Sequence, residues 1–343
     1  MSDPMMGGHG TEPGFVDPGD VGRWRAARRA VLDHVLGVMA ESAWANGLVL
    51  RGSMAMLAWV GEAAREPADL DWVLPAPPVV PVDALHPYPY VDSLEVVQQW
   101  PEAADGAAAY EIWRDEEFDT GGLHPVLPPE GLHYVFDPVG DEPGPEPYRE
   151  LIQLLMRRPE AAPGVFVDPA AADWGGLGGY YRMYDTPGVR LMIPWHAEGL
   201  PPGRVQLDFA RDEWLPEAPV PAAVPRGDGG EPSVVPSAGP ELSLAWKLLW
   251  LHTDWRTEGR CQGKDLYDAV LLAEADRTAL PRPLLDKVFR RALGPGSADF
   301  DPSSIHRWKV DWRAFQVACP RVRGTADEWL GRLHTALAPV FSR

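Results

Sequence analysis

Apolar positions recur at helical spacing over residues 21–46, where Leu32, Val35, Leu36 and Met39 share one face. That spacing predicts an amphipathic helix stopped by Gly47. A short apolar run, Leu48 to Leu50, leads into a turn at Arg51-Gly52-Ser53 and a helix-like segment over 54–61. A polar loop follows, and then a second apolar run that carries Asp69-Leu70-Asp71. Strand side chains alternate faces, so Asp69 and Asp71 project from one side and Leu70 and Trp72 from the other. The same alternation returns in Val189, Leu191 and Ile193, and again in Val205, Leu207 and Phe209. Turn residues over 198–203 join these two runs, which predicts a hairpin. Asp208 lies between Leu207 and Phe209 and faces away from them. From Pro240 the chain reads as a strong helix with Leu244, Leu248 and Leu251 on its apolar face and Lys247 within it. A second helical pattern over 260–272 puts Lys264, Asp265 and Asp268 on one side. Three more helical runs, starting near Arg282, Trp308 and Thr325, complete a helical C-terminal part.

Other stretches lack such periodicity. Residues 1–20 read as a disordered leader. After Leu74 a proline-rich run leaves the core, and 76–170 reads as an insertion or a lobe on the sheet formed by the alternating runs. Within it, 91–100 reads as helix or strand, 107–113 and 132–136 as strands, and 148–156 as a short helix. Its His86, His124 and His133 follow no metal-ligand spacing. The glycine-rich run over 174–181 lacks a following Lys-Ser/Thr and reads as a turn, not a P-loop. Residues 216–239, rich in Pro, Gly, Ala and Ser, read as a linker. The expected layout is therefore a leader (1–20), a mixed strand-and-helix domain (21–215) with its insertion (76–170), a linker (216–239) and a helical C-terminal domain (240–343).

Composition narrows the class. At 343 residues with 45% hydrophobic content and 15 Trp, the chain can bury a large core. It has no apolar run long enough for a bilayer. Its polar, glycine-rich start is unlike a signal peptide. Cys261 and Cys319 stand far apart, which fits a reducing cytoplasmic compartment. The net charge of −19 is unusual for a protein that grips nucleic acid over a wide face, and it favours a small acceptor or a local RNA contact. Arg23, Arg25, Arg28 and Arg29 form a local basic cluster, either a solvated face or a contact with phosphate.

Two carboxylates side by side repel unless a cation neutralises them, and the usual cation is a hard divalent ion shared with substrate phosphates. Upstream, the Gly52-Ser53 turn opens a helix whose free N–H groups favour phosphate. This Gly-Ser turn followed by Asp69-Leu70-Asp71 resembles the nucleotidyltransferases of the DNA polymerase β superfamily, and among them the AbiEii/AbiGii toxin family. Arg65 stands where that family often has Arg. The run Lys264-Asp265-Leu266-Tyr267-Asp268 resembles the family's Arg-x-Lys-Asp-Leu-x-Asp motif, with its leading Arg displaced to Arg260. Two positions depart from the pattern: Arg51 replaces the first Gly of the common Gly-Gly pair, and Pro67 replaces a frequent Ser.

The resemblance implies an α+β fold, a nucleotidyltransferase-like mixed sheet flanked by helices, with a helical C-terminal domain. It implies an enzyme that moves an NMP from NTP to an acceptor hydroxyl. Asp69, Asp71 and Asp208 would hold two Mg²⁺ ions, Asp208 being the third carboxylate on a neighbouring strand. Gly52, Ser53, Arg65, Lys247, Lys264, Asp265 and Asp268 would form the nucleotide site. As a toxin of a toxin–antitoxin or phage-defence pair, the protein would act on tRNA or protein and have an antitoxin. The alternatives are transfer to a small-molecule hydroxyl and a non-catalytic nucleotide-binding module.

Overall fold

The computed structural model describes residues 12–15, 17–74, 90–91, 134–135, 147–174, 180–183, 186–211, 214–294 and 300–341. Helix α1 (Pro18–Ala40) starts inside the expected leader, taking its last three residues. Pro18 fits a first turn that needs no N–H, and the Asp17 carboxylate caps it by accepting from the Gly19 amide at 2.8 Å. Glu12, also in the leader stretch, pairs with Arg25. The buried stripe of α1 runs from Trp24 through Val31, Val35 and Met39. The helix stops at Ala40, not at Gly47. The Ser42 hydroxyl donates to the Met39 carbonyl at 2.7 Å, which turns the chain away from the helical path.

Strand β1 (Val49–Arg51) runs straight into α2 (Gly52–Val60), and β2 (Asp69–Leu74) follows after a short loop. Two short strands, β3 (Tyr90–Val91) and β4 (Tyr134–Val135), pair antiparallel. The remainder of 75–146 lies outside the described residues, and with it His86, His124, His133 and the elements expected at 92–100 and 107–113. Helix α3 (Pro147–Arg157) matches the short helix expected at 148–156. Next come β5 (Glu160–Ala162), β6 (Val165–Val167), β7 (Asp173–Trp174) and β8 (Tyr180–Met183). Most of the glycine-rich run at 174–181 is outside the described residues.

Strands β9 (Thr186–Ala197) and β10 (Gly203–Arg211) form the expected antiparallel hairpin, with Val189, Leu191, Ile193, Val205, Leu207 and Phe209 all buried. β11 (Val220–Val224) and β12 (Ser233–Ser237) then pair with each other in the stretch expected to be a linker. This corrects the linker reading. Proline is tolerated at a sheet edge because it has no ladder N–H to give, and Pro221 faces Pro236 across this outer pair.

The sheet order is β11-β12-β1-β2-β10-β9-β6-β5, with β7 and β8 also on β9. β2 lies near its middle, antiparallel to β1 and parallel to β10. The fold is thus α+β, a mixed sheet with helices packed on it. The C-terminal helices are α4 (Pro240–Glu258), α5 (Gly263–Glu274), α6 (Arg282–Leu293), α7 (Trp312–Ala318) and α8 (Ala326–Phe341). A strand pair, β13 (Cys261–Gln262) with β14 (Val310–Asp311), ties α4 to the start of α7. The helix expected from Trp308 begins only at Trp312, because 310–311 is spent on that pair. Buried side chains form one continuous cluster from Trp24 to Leu337, so the sheet and the C-terminal helices share a core.

Candidate active site

β2 obeys the alternation that its sequence requires: Leu70 and Trp72 are buried, and Asp69 and Asp71 lie on the opposite, partly open face. Strand register then lines up a row of charge. Arg51 of β1 stands opposite Asp71, Asp71 is level with Asp208 of β10, and Asp208 is opposite Arg190 of β9. Residues level on neighbouring strands point to one face with Cβ atoms about 5 Å apart. The row therefore reads Arg51, Asp71, Asp208, Arg190 across four strands, with Asp69 two residues along β2. The two carboxylates fall at its centre and the two guanidiniums at its ends.

Each member is fixed differently. Asp208 is 3% exposed and accepts a bidentate pair from Arg190, Nε to Oδ1 at 2.8 Å and Nη2 to Oδ2 at 2.9 Å. Gln206 Nε2 adds a third bond to Oδ2 at 2.9 Å. Ser53 Oγ donates to Asp69 Oδ1 at 2.9 Å. Arg51 is buried, and its guanidinium lies 5.6 Å from the Trp246 ring and 5.9 Å from the Trp250 ring of α4. Burial pushes the Asp71 carboxyl up to about 7, and the charges of Asp69 and Asp208 push the same way, while Arg51 and Lys264 oppose them.

Gly52 explains itself in this setting. Its φ is +72°, and a Cβ there would fall 2.1 Å from Asp71 Oδ2. No other residue fits both the left-handed turn and the carboxylate pressed against it. The turn opens α2, whose first N–H groups have no partner within the helix.

The remaining expected residues gather beside this row, from α5, α4 and the loop before β2. Lys247 Nζ lies 2.6 Å from Asp265 Oδ1 and 3.1 Å from Asp268 Oδ2. Arg65 Nε donates to both oxygens of Asp268 at 3.2 Å. Burial would lower the pKa values of Lys247 and Arg65, but Asp265 and Asp268 outweigh it at Lys247, and Asp268, Asp69 and Asp265 do so at Arg65, so both are raised. Asp265 is shifted below the usual carboxylate range: burial works against this, and Lys247 and Lys264 prevail. Lys247 and Arg65, expected at the triphosphate, are thus engaged by carboxylates here. Lys264 opens α5 half-exposed, close enough to act on both Asp71 and Asp265. In the basic cluster of α1, Arg23 pairs with Asp20, Arg25 with Glu12 and Arg29 with Asp33, while Arg28 is buried over the Trp24 ring.

Three site residues escaped the sequence reading: Arg51, Arg190 and Gln206. Arg51 had a signal, since it departs from the Gly-Gly pattern. Gln206 had one too, since it stands two residues before Asp208 on the same face of β10, whereas Arg190 is defined only by register across strands. Among the described residues no three His, Cys, Asp or Glu side chains already form a metal cage. Asp208, the third carboxylate, has both oxygens taken by Arg190.

The family model for the AbiEii nucleotidyl transferase toxin of type IV toxin–antitoxin systems matches residues 139–332, more than half of the chain. The chain belongs to the AbiEii family. The matched stretch of this AbiEii protein holds Asp208, Lys247, Lys264, Asp265 and Asp268, while Gly52, Ser53, Asp69 and Asp71 precede it. Sheet register brings Asp208 level with Asp71, and the Arg65–Asp268 pair ties α5 to the loop before β2. Membership makes the protein a nucleotidyltransferase enzyme with a nucleotide substrate and an antitoxin partner. No curated protein matches the chain. No described helix is long and apolar enough to cross a membrane.

Proposed function

We propose that this AbiEii enzyme moves a nucleoside monophosphate from NTP to a hydroxyl of tRNA or protein, with Asp69, Asp71 and Asp208 as the ligands of two Mg²⁺ ions. The observation that carries this reading is the level placement of Asp71 and Asp208 on adjacent parallel strands, with Asp69 on the same face. The donor chemistry fits a hard cation: all three side chains are carboxylates, and burial, with the charges of Asp69 and Asp208 adding to it, holds Asp71 up to about 7. Bound there, such ions would stabilise charge on the attacking and leaving oxygens.

The protein's own groups do the positioning. The Gly52 turn brings the first amides of α2 beside Asp71, where β- and γ-phosphates can accept from them. Ser53 keeps Asp69 in one rotamer. Lys264, at the start of α5, faces the developing negative charge of the triphosphate. Arg65, Lys247, Asp265 and Asp268 form the buried platform that sets the position of α5 and hence of Lys264. Phosphoryl-type transfer depends mainly on such placement and electrostatics.

The net charge of −19 favours a second reading, in which the acceptor is a small-molecule hydroxyl, over wide contact with nucleic acid. Incubating the protein and Mg²⁺ with α-labelled NTPs against tRNA, protein extract and small hydroxyl compounds distinguishes the acceptors. In the productive pool, Asp69→Ala or Asp71→Ala should cut label transfer by ~10²–10³-fold or more with the fold retained. Metal-dependent transfer that persisted in Asp69→Ala would overturn the assignment of the carboxylates.

A further inference from the structure

The two arginines that end the charged row differ in one respect that bears on how the site loads. Arg51 is 6% exposed and packed near two tryptophan rings of α4. The side chain of Arg190 is 32% exposed, although it makes the tighter contact, a bidentate pair with Asp208. Arg51 is enclosed on β1, whereas about a third of the Arg190 side chain meets solvent. We propose that Arg190 is a displaceable counter-ion. It holds Asp208 while no divalent cation is bound, yields that carboxylate when a cation enters, and turns to the anionic triphosphate that arrives with it.

The proposal rests on the metal-ligand reading of Asp69, Asp71 and Asp208, and three observations carry it further. First, both Asp208 oxygens accept from the guanidinium, so a cation cannot take this carboxylate in full while Arg190 stays. A guanidinium and a divalent ion on one buried carboxylate would also repel each other. Second, Gln206 holds Asp208 Oδ2 independently at 2.9 Å. The carboxylate therefore keeps its orientation after Arg190 leaves, and what remains is a pre-aimed ligand. Third, Arg190 is anchored on β9 directly opposite Asp208, so its released head group stays within one strand of the site. A long cationic side chain there meets phosphate oxygens bidentately, which is what guanidinium geometry suits. Arg190 is on this account a positioning residue in the empty site and a substrate contact in the loaded one.

The test is metal binding by the full-length protein, read by calorimetry and by the spin-resonance signal of Mn²⁺, with no turnover involved. Without nucleotide, Arg190→Gln should bind Mn²⁺ about 10–100-fold more tightly than the unaltered protein, because a charge-assisted bidentate pair no longer competes. The same variant should bind a non-hydrolysable NTP analogue about tenfold more weakly once Mn²⁺ is saturating. Should Arg190→Gln fail to fold, Arg190→Lys serves, since one ammonium cannot hold both oxygens: its Mn²⁺ affinity should also exceed that of the unaltered protein. Equal or weaker Mn²⁺ binding in the folded variant, with binding still abolished by Asp71→Asn, makes Arg190 a structural brace and overturns the proposal while the carboxylate site stands. Absence of Mn²⁺ binding from every form overturns the carboxylate site itself, and the role of Arg190 with it.

Discussion

Two clusters of charge lie side by side in this enzyme, and they are balanced in opposite ways. In the sheet row, Asp69, Asp71 and Asp208 share a face with Arg51 and Arg190, and Asp71 is left with a carboxyl pushed up to about 7. In the cluster between α4, α5 and the loop before β2, Arg65 and Lys247 face Asp265 and Asp268, two charges of each sign. There the carboxyl of Asp265 is shifted down and both cations are raised. A self-neutralised buried cluster holds helices in register and has little to offer a ligand. An over-acidic row has a reason to bind one. Under the proposed function, the contrast assigns one cluster to scaffold and the other to chemistry.

The scaffold side breaks hardest. Asp268 is fully buried and serves both Arg65 and Lys247, so Asp268→Ala takes away the carboxylate paired with Arg65 and leaves Lys247 with Asp265 alone. The expected loss is ~3–5 kcal/mol of unfolding free energy in urea titration, far beyond that of a surface substitution. On the chemical side the sign reverses. The Asp71 carboxyl stands at about 7 in the fold, against 3.8 as its ordinary value. The folded protein therefore binds more protons than the unfolded chain between these two values. With chelator present, stability should fall as pH rises from about 4 to about 7, by up to ~4 kcal/mol. Asp71→Asn should flatten that fall, so that at pH 8 the variant unfolds at higher urea than the unaltered protein; identical pH profiles would remove the distinction between the clusters. The mildest change is Gly52→Ala, which meets both a φ of +72° and the Asp71 carboxylate at 2.1 Å. It should cost ~1–3 kcal/mol in thermal melts and shift Asp71 off its position.

Much of this was legible in the chain. The period-two runs around Asp69 and Asp208 are carried by buried Leu70, Trp72, Leu207 and Phe209, and burial on one face commits the carboxylates to the other. Gly52 was legible for the same local reason. What local pattern could not reveal is register between strands far apart in sequence: nothing near Arg190 announces that it faces Asp208, or that Asp208 is level with Asp71. The ionic roles of Lys247 and Arg65 stayed hidden likewise, since their partners come from other elements. Residues 216–239 were misread because prolines and glycines mimic a linker, although Ala222, Val224 and Val235 bury their side chains in the outer hairpin.

The order of strands has a consequence for a protein of this kind. β1 and β2, made early, are flanked by β12 on one side and β10 on the other, both made much later. On the proposed site, a ribosome that has finished the glycine turn and the first two aspartates has yet to make Asp208 and Lys264. A chain that ends before β10 should therefore transfer no nucleotide, which a truncated transcript would test.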